Sequence, residues 1–310
     1  MALRGKIIEI PDRINAPESG VDAVDFRVQL SDAANTAKDV RGAALTIFKA
    51  TLENAKASAQ ERFEAGRLDG LETARLIAAI HDDIITALFD FTTSHIFPAP
   101  NPTKSERMSL CAVGGYGRGE MAPQSDVDLL FLIADKNVSP HTEQVTEYML
   151  YMLWDLGLKV GHAVRTVEQS IRLAKEDQTI LTSLLDLRYL RGDEALANEL
   201  YAKFRKTVTK GKGRAYISAK LTERDVRHER EGNSRYVIEP NVKEGKGGLR
   251  DLQSLFWIAK YLHGVQNTAD LVQLGVFTKA EFKTFSKAED FLWAVRSHLH
   301  LLAGRPTEQL

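Results

Sequence analysis

Two aspartates set two residues apart, Asp126 and Asp128, head an apolar run that reaches Ile133 and has the length of a strand. In a strand, positions i and i+2 project to the same face, so the two carboxylates emerge together while Val127 and Leu129 turn the other way into a core. Two like charges held side by side repel one another, and a divalent cation between them removes that cost. Oxygen-only donors select a hard ion, so the pair predicts a Mg²⁺ site with Asp126 and Asp128 as metal ligands and catalytic residues. Mg²⁺ held by carboxylates and by nucleotide phosphates is the arrangement of metal-assisted nucleotidyl transfer.

Upstream, a second strand-length run, Arg107 to Val113, ends in Gly114-Gly115-Tyr116-Gly117-Arg118-Gly119. Gly114 and Gly115 let the backbone turn and approach a ligand with no Cβ in the way, and their amides can form an anion nest. Arg118 offers a forked cation for phosphate oxygens. Eleven positions separate Gly115 from Asp126, room for one helical turn and a return, with Ser125 placed to donate to a phosphate or to cap a turn. A glycine-rich loop from Asn241 to Gly248 carries Lys243 and Lys246 and leads into Leu249-Arg250-Asp251 at a helix start, a second place suited to an anion. His162 reads either as a ligand near the acids or as a hydrogen-bonded strand-edge histidine, and Arg165 either as a phosphate contact or as a surface ion-pair partner. His81-Asp82 looks like a hydrolase dyad on paper, but its place in an amphipathic helix predicts a solvated patch.

The elements that position these residues follow from periodicity. Residues 1–32 read as a loose extension with one short strand from Lys6 to Ile10. Helical patterns cover 33–65 and 71–94, and the proline-rich stretch 97–102 reads as a linker. A helix at 141–156 and a third strand at 158–166 complete a small sheet. After Thr166 the pattern is helical, over 168–175, 178–187, 193–209, 214–231, 248–263 and 279–303. The last carries Phe285, Ala288, Leu292, Val295, Leu299 and Leu302 as an apolar stripe that predicts a buried face. Trp154, Trp257 and Trp293 all fall within helical patterns that predict core positions. The expected domains are therefore 1–100, an extension with helices; 101–166, the nucleotidyltransferase core; and 167–310, a helical domain. The fold class is α+β or α/β, a small mixed sheet flanked by helices on both sides.

Composition sets the outer bounds. The 310 residues are 44% hydrophobic and 27% charged, with a net charge of -1, so no global field draws nucleic acid or a membrane surface. Basic runs such as Lys203 to Lys212 lack the interleaved aromatics of a base-stacking surface. No apolar run approaches the roughly 20 residues a spanning helix needs. Cys111, the single cysteine, cannot form an internal disulfide, and a cytoplasmic setting is expected.

The wording Val113-Gly-Gly-Tyr-Gly-Arg-Gly-Glu-Met-Ala-Pro-Gln-Ser-Asp-Val-Asp-Leu-Leu130 resembles the DNA polymerase beta-like nucleotidyltransferases, and within them the bacterial PII uridylyltransferase family. Gly157 to Thr166 and Glu239 to Lys260, with its Gly-Gly-Leu-Arg-Asp core, add to the likeness. The resemblance covers roughly residues 100–310. It implies transfer of UMP from UTP to a tyrosine of the PII signal protein, with Mg²⁺ and release of pyrophosphate. Gly114 and Gly115 match the family's phosphate turn, and Asp126 and Asp128 its metal pair. The third carboxylate common in the superfamily has no counterpart on the 158–166 strand, which leaves Glu244 or Asp251 as possible suppliers. In that family glutamine is the effector and acts through ACT domains, and an HD-type domain removes UMP; this chain is expected to lack both. Two other readings stand beside this one: an adenylyltransferase acting on glutamine synthetase, and a non-catalytic nucleotide-sensing module.

Overall fold

The computed structural model describes residues 10–11, 15–100, 103–232 and 238–310. The strand expected from Lys6 to Ile10 lies almost wholly outside the described residues. Ile10 itself is buried, with its amide donating to Asn198 Oδ1 at 3.0 Å.

Four strands make one mixed sheet: β1 (Met108–Ala112), β2 (Val127–Ile133), β3 (Val160–Thr166) and β4 (Arg188–Gly192), in the order β3-β2-β1-β4. β1 and β2 run antiparallel, from Met108 opposite Ile133 to Ala112 opposite Leu129. β2 and β3 run parallel, with Asp128 opposite Gly161, and the helix α5 (Pro140–Asp155) makes the crossover that a parallel pair requires. β4 pairs antiparallel with β1 through a register shift between Leu110 and Cys111. This fourth strand was missed in the sequence, where 188–192 falls between two helical patterns, and it carries the sheet beyond residue 166.

Both faces of the sheet are covered, which is why β2 reads as a continuous apolar run. Val127, Leu129, Phe131 and Ile133 face a layer made by α2 (Val40–Glu64), α3 (Gly70–Phe91) and α5. Cys111, Leu130 and Leu132 face α6 (Val167–Glu176), α7 (Gln178–Leu185) and α8 (Glu194–Phe204). Cys111 is fully buried, and burial pushes its thiol up to about 12, in keeping with a packed apolar residue.

Local signals fix the helix ends. Asp69 and Glu72 form a reciprocal capping box at the start of α3, and Ser139 with Pro140 opens α5. The helix expected over 33–65 is two, α1 (Ala23–Thr36) and α2, because Asp39 breaks the run by capping the second. The helical side is built by α9 (Gly213–Arg230), α10 (Leu249–His263), the short α11 (Asp270–Gln273) and α12 (Lys279–Ala303).

Two expectations about buried faces fail. Trp154 is 47% exposed, while Trp257 and Trp293 are buried as expected. On α12 the buried residues are Phe285, Glu289, Trp293, Arg296, Ser297 and His300, a face turned about one residue from the apolar stripe, and Leu302 is 86% exposed. The helix presents this mixed face inward because part of it, Arg296 and His300, walls a polar cleft.

Candidate active site

The candidate site is a cleft of about 920 Å³ between the sheet and the helical side. Asp128 sits near the start of β2 on the face shared by Leu130 and Leu132, at the point where the covering helices leave that face open. Asp126 lies just before the strand and is exposed. The chain passes closely around the Asp128 carboxylate. A Cβ on Gly114, whose φ is +61°, would lie 3.0 Å from Asp128 Oδ2, and a Cβ on Gly161 would lie 2.5 Å from Oδ1. The carboxylate thus sits against two glycines: a side chain at Gly114 would strain the backbone, and one at Gly161 would push the carboxylate aside. Burial, and then the Asp126 charge, push the Asp128 carboxyl above its ordinary range, while Lys243 and Arg118 pull the other way.

Such a pair is suited to a hard cation, which would relieve both the burial and the mutual repulsion. Asp126 and Asp128 would hold Mg²⁺, an ion commonly bound by one or two carboxylates together with substrate phosphates. Among the described residues no group of three or more His, Cys, Asp or Glu side chains converges as a ligand set. Glu244 is engaged by Arg250 at 2.9 Å. Asp251 accepts from His228, Arg227 and the Gly247 amide, so neither stands as the third acid.

The glycine-rich segment is a short helix, α4 (Gly114–Arg118), closed by Gly119 at φ +74°. Arg188 of β4 fixes it from below. Its guanidinium donates to the Tyr116 and Gly117 carbonyls at 3.0 and 3.2 Å and grips Asp82 of α3 with two bonds of 2.7 and 3.0 Å. Gly117 is required by space, since a Cβ there would lie 2.0 Å from the Asp186 carbonyl. Gly115 has an ordinary φ, and its nearest contact would be a tolerable 3.5 Å. The close approach therefore belongs to Gly114 and Gly117 more than to Gly115.

Arg118 is buried and its fork is committed, to Asp186 at 2.6 Å and to Glu120 at 3.4 Å, with Trp257 beneath it. Asp186 also accepts from Trp257 Nε1 at 2.7 Å and Lys260 Nζ at 2.8 Å. Burial alone would raise its carboxyl, but Lys260 and Arg118 hold it below the usual range. Ser125 closes a turn, its Oγ accepting from the Ala122 amide at 3.1 Å.

The opposite wall is cationic. Lys220 and Arg227 of α9, Arg250 of α10, Arg296 of α12 and Lys243 of the intervening loop all line the cleft. Burial, and then the charges of Arg296 and Arg250, lower the Lys243 ammonium. His162 and Arg165 reach the same cleft from β3. Lys246 does not: it lines a second cleft of about 770 Å³ on the other side, with His228 and Asp251.

His81 is also placed differently from expectation. It is buried rather than solvated, with Nδ1 at 2.6 Å from the Ile77 carbonyl, and burial lowers its imidazole to about 3. Its neighbour Asp82 is taken up by Arg188.

The sequence reading missed Gly161, Asp186, Arg188 and the α12 residues Arg296 and His300. Only Gly161 left a signal, since a glycine inside a strand marks a close backbone approach.

Comparison with known proteins agrees with this geometry. Residues 54–168 match the family model of the putative nucleotidyltransferase DUF294, and residues 215–310 match that of the GlnD PII-uridylyltransferase. The chain is 55% identical over 294 residues to a bifunctional uridylyltransferase/uridylyl-removing enzyme of Phenylobacterium zucineum, covering 94% of this chain and 31% of the relative. The corresponding enzyme of Caulobacter vibrioides is 54% identical over 297 residues, 94% of this chain and 31% of the relative. That of Rhodospirillum rubrum is 50% identical over 301 residues, with 96% and 32% covered. The chain spans about a third of the length of these curated relatives. Over nearly its whole length the chain is thus similar to part of the bifunctional uridylyltransferase/uridylyl-removing enzymes, and its two matched segments resemble a nucleotidyltransferase and a PII-uridylyltransferase family model.

Proposed function

We propose that the cleft binds UTP with Mg²⁺ and transfers UMP to a tyrosine hydroxyl of a PII-type signal protein, releasing pyrophosphate. The observation that carries this reading is the Asp128 carboxylate, held between Gly114 and Gly161 at one side of a cleft whose opposite wall is cationic. When bound, the metal neutralises phosphate charge and polarises the α-phosphorus. Asp126 and Asp128 fix where that charge sits. The cations of α9, α10 and α12 hold the negative end of the triphosphate, and a site fixed in advance needs little reorganisation as charge shifts toward the leaving group. The acceptor oxygen gives up its proton to water and bonds to the α-phosphorus as the bond from that phosphorus to the oxygen bridging to the β-phosphate breaks, and pyrophosphate carries the bridging oxygen away.

Transfer of labelled UMP from UTP to a PII protein, with ATP and CTP run in parallel, tests the reading. Metal-dependent label on PII from UTP alone supports it. Label from ATP onto glutamine synthetase would replace it with adenylyl transfer, and nucleotide binding with no turnover would leave a sensing module. No helix among the described residues is long and apolar enough to cross a membrane.

A further inference from the structure

One carboxylate enters the cationic wall from an unexpected direction. Glu308 lies in the segment after α12, which runs beside the glycine-rich loop: the Val242 amide donates to the Glu308 carbonyl at 2.7 Å, and the Leu310 amide to the Pro240 carbonyl at 3.3 Å. That backbone pairing delivers the Glu308 side chain into a ring of three basic groups. Arg296 forks onto it, Nη2 to Oε1 at 2.7 Å and Nε to Oε2 at 2.8 Å. Lys243 Nζ stands 3.7 Å away and His300 Nε2 3.8 Å.

The ring is built rather than incidental. Arg296 and His300 are almost wholly buried. His300 Nδ1 accepts from the Gln124 amide at 3.2 Å, so in the neutral ring the proton sits on Nε2, a buried atom with no hydrogen-bond partner that is aimed at Glu308. Gln124 lies in the turn that leads to Asp126, which ties the ring to the two acids. All three basic groups line the same cleft as Asp126 and Asp128, and the Lys243 charge is felt at Asp128.

An arginine fork, an ammonium and an N–H donor converging on one point form a receptor for an oxyanion with more oxygens than a carboxylate has. We propose that Lys243, Arg296 and His300 form the subsite for the terminal phosphates of the nucleotide, and that the Glu308 carboxylate occupies it when nucleotide is absent and competes with it for the same donors. The proposal rests on the triphosphate reading of the cleft. It makes Glu308 a brake on binding: the carboxylate must leave before the polyphosphate engages Arg296.

Pyrophosphate is the probe, titrated calorimetrically into the whole chain, first with chelator and then with Mg²⁺, so that no transfer is needed. Each variant is also checked by thermal unfolding. Glu308→Gln removes the competing charge and is expected to bind pyrophosphate roughly tenfold more tightly, while Lys243→Gln and Arg296→Gln bind it roughly tenfold more weakly. In the double variant Glu308→Gln with Lys243→Gln the gain should largely vanish. A folded Glu308→Gln protein that binds pyrophosphate no better than wild type, or worse, overturns the proposal and makes Glu308 a structural tie. So does a folded Lys243→Gln protein of unchanged affinity, which keeps the test decisive if Arg296→Gln fails to fold. Should UMP transfer fail while the pyrophosphate pattern holds, the transfer reading falls and the anion subsite stands.

Discussion

The two walls of the cleft are built on opposite principles. The acidic wall comes from one stretch of chain, Ala112 to Ile133, with Gly161 added by the neighbouring strand. The cationic wall is gathered from α9, the 241–248 loop, α10, α12 and the segment after it. On the acidic side backbone shape does the positioning: two glycines leave room for the Asp128 carboxylate where a Cβ would crowd it. On the cationic side ion pairs do it, with Glu244 holding Arg250 and Glu308 holding Arg296, while Asp186 ties Arg118 of the acidic stretch to Lys260 of α10. A wall set by backbone shape should fail abruptly on substitution, whereas a wall set by ion pairs should lose stability or retune affinity.

The sharpest way to break the comparison is Asp128→Asn. Losing the charge should cut UMP transfer on the order of 10⁴-fold with thermal unfolding little changed, because burial already disfavours the ionised form. Single-turnover assays check it, and near-normal transfer would remove the metal assignment.

Asp186→Asn attacks the ion pairs that join the two sides. It leaves Lys260 buried without its counter-charge and Arg118 with Glu120 alone, and a broken buried pair costs roughly 3–5 kcal/mol. Urea unfolding should show a lower midpoint at similar slope. An unchanged midpoint would mean that these bases find other partners.

Gly161→Ala puts a methyl group 2.5 Å from Asp128 Oδ1. Displacement of the carboxylate should lower kcat by about 10²-fold with only a modest change in melting temperature. Gly115→Ala, by contrast, meets nothing closer than 3.5 Å and should change transfer by only a few fold. If the two substitutions act alike, shape does not distinguish the glycines.

The smallest effect concerns pH. Burial, and then Glu120, raise the Glu289 carboxyl to about 8, against opposition from Arg75 and Arg118. The folded chain therefore keeps a proton that the unfolded chain loses near pH 4.5, so this group's contribution to stability is present at low pH and fades as pH rises toward 8. Glu289→Gln should match wild type near pH 4 and melt at a higher temperature by pH 8. Parallel melting curves across that range would argue against a buried protonated acid.

Legibility in the sequence follows the same division. The acid pair, the strands on either side of it and the bounds of α12 were all readable, because each depends on spacing within one segment. Asp186 and Arg188 were not, since nothing in Leu187-Arg188-Tyr189-Leu190 announces that its arginine will staple a helix 71 residues upstream. The α12 stripe misled for a physical reason: apolar periodicity predicts the face turned to a core, and this helix turns Arg296 and His300 to a cleft instead. Trp154 misled because helical spacing does not say which face of α5 meets the sheet.

The Arg188 and Asp186 contacts also set an order of events during synthesis. Arg118 leaves the ribosome 68 residues ahead of Asp186 and Gly117 leaves 71 residues ahead of Arg188, while Lys260 follows Asp186 by a further 74. At roughly 5–20 residues per second the glycine helix waits several seconds for its staple and longer for the full set of counter-charges. The nascent chain can lay β1 against β2 and pack Tyr116 against α3 early, but the glycine helix gains its Arg188 ties only when β4 arrives, so this corner of the sheet domain is completed late.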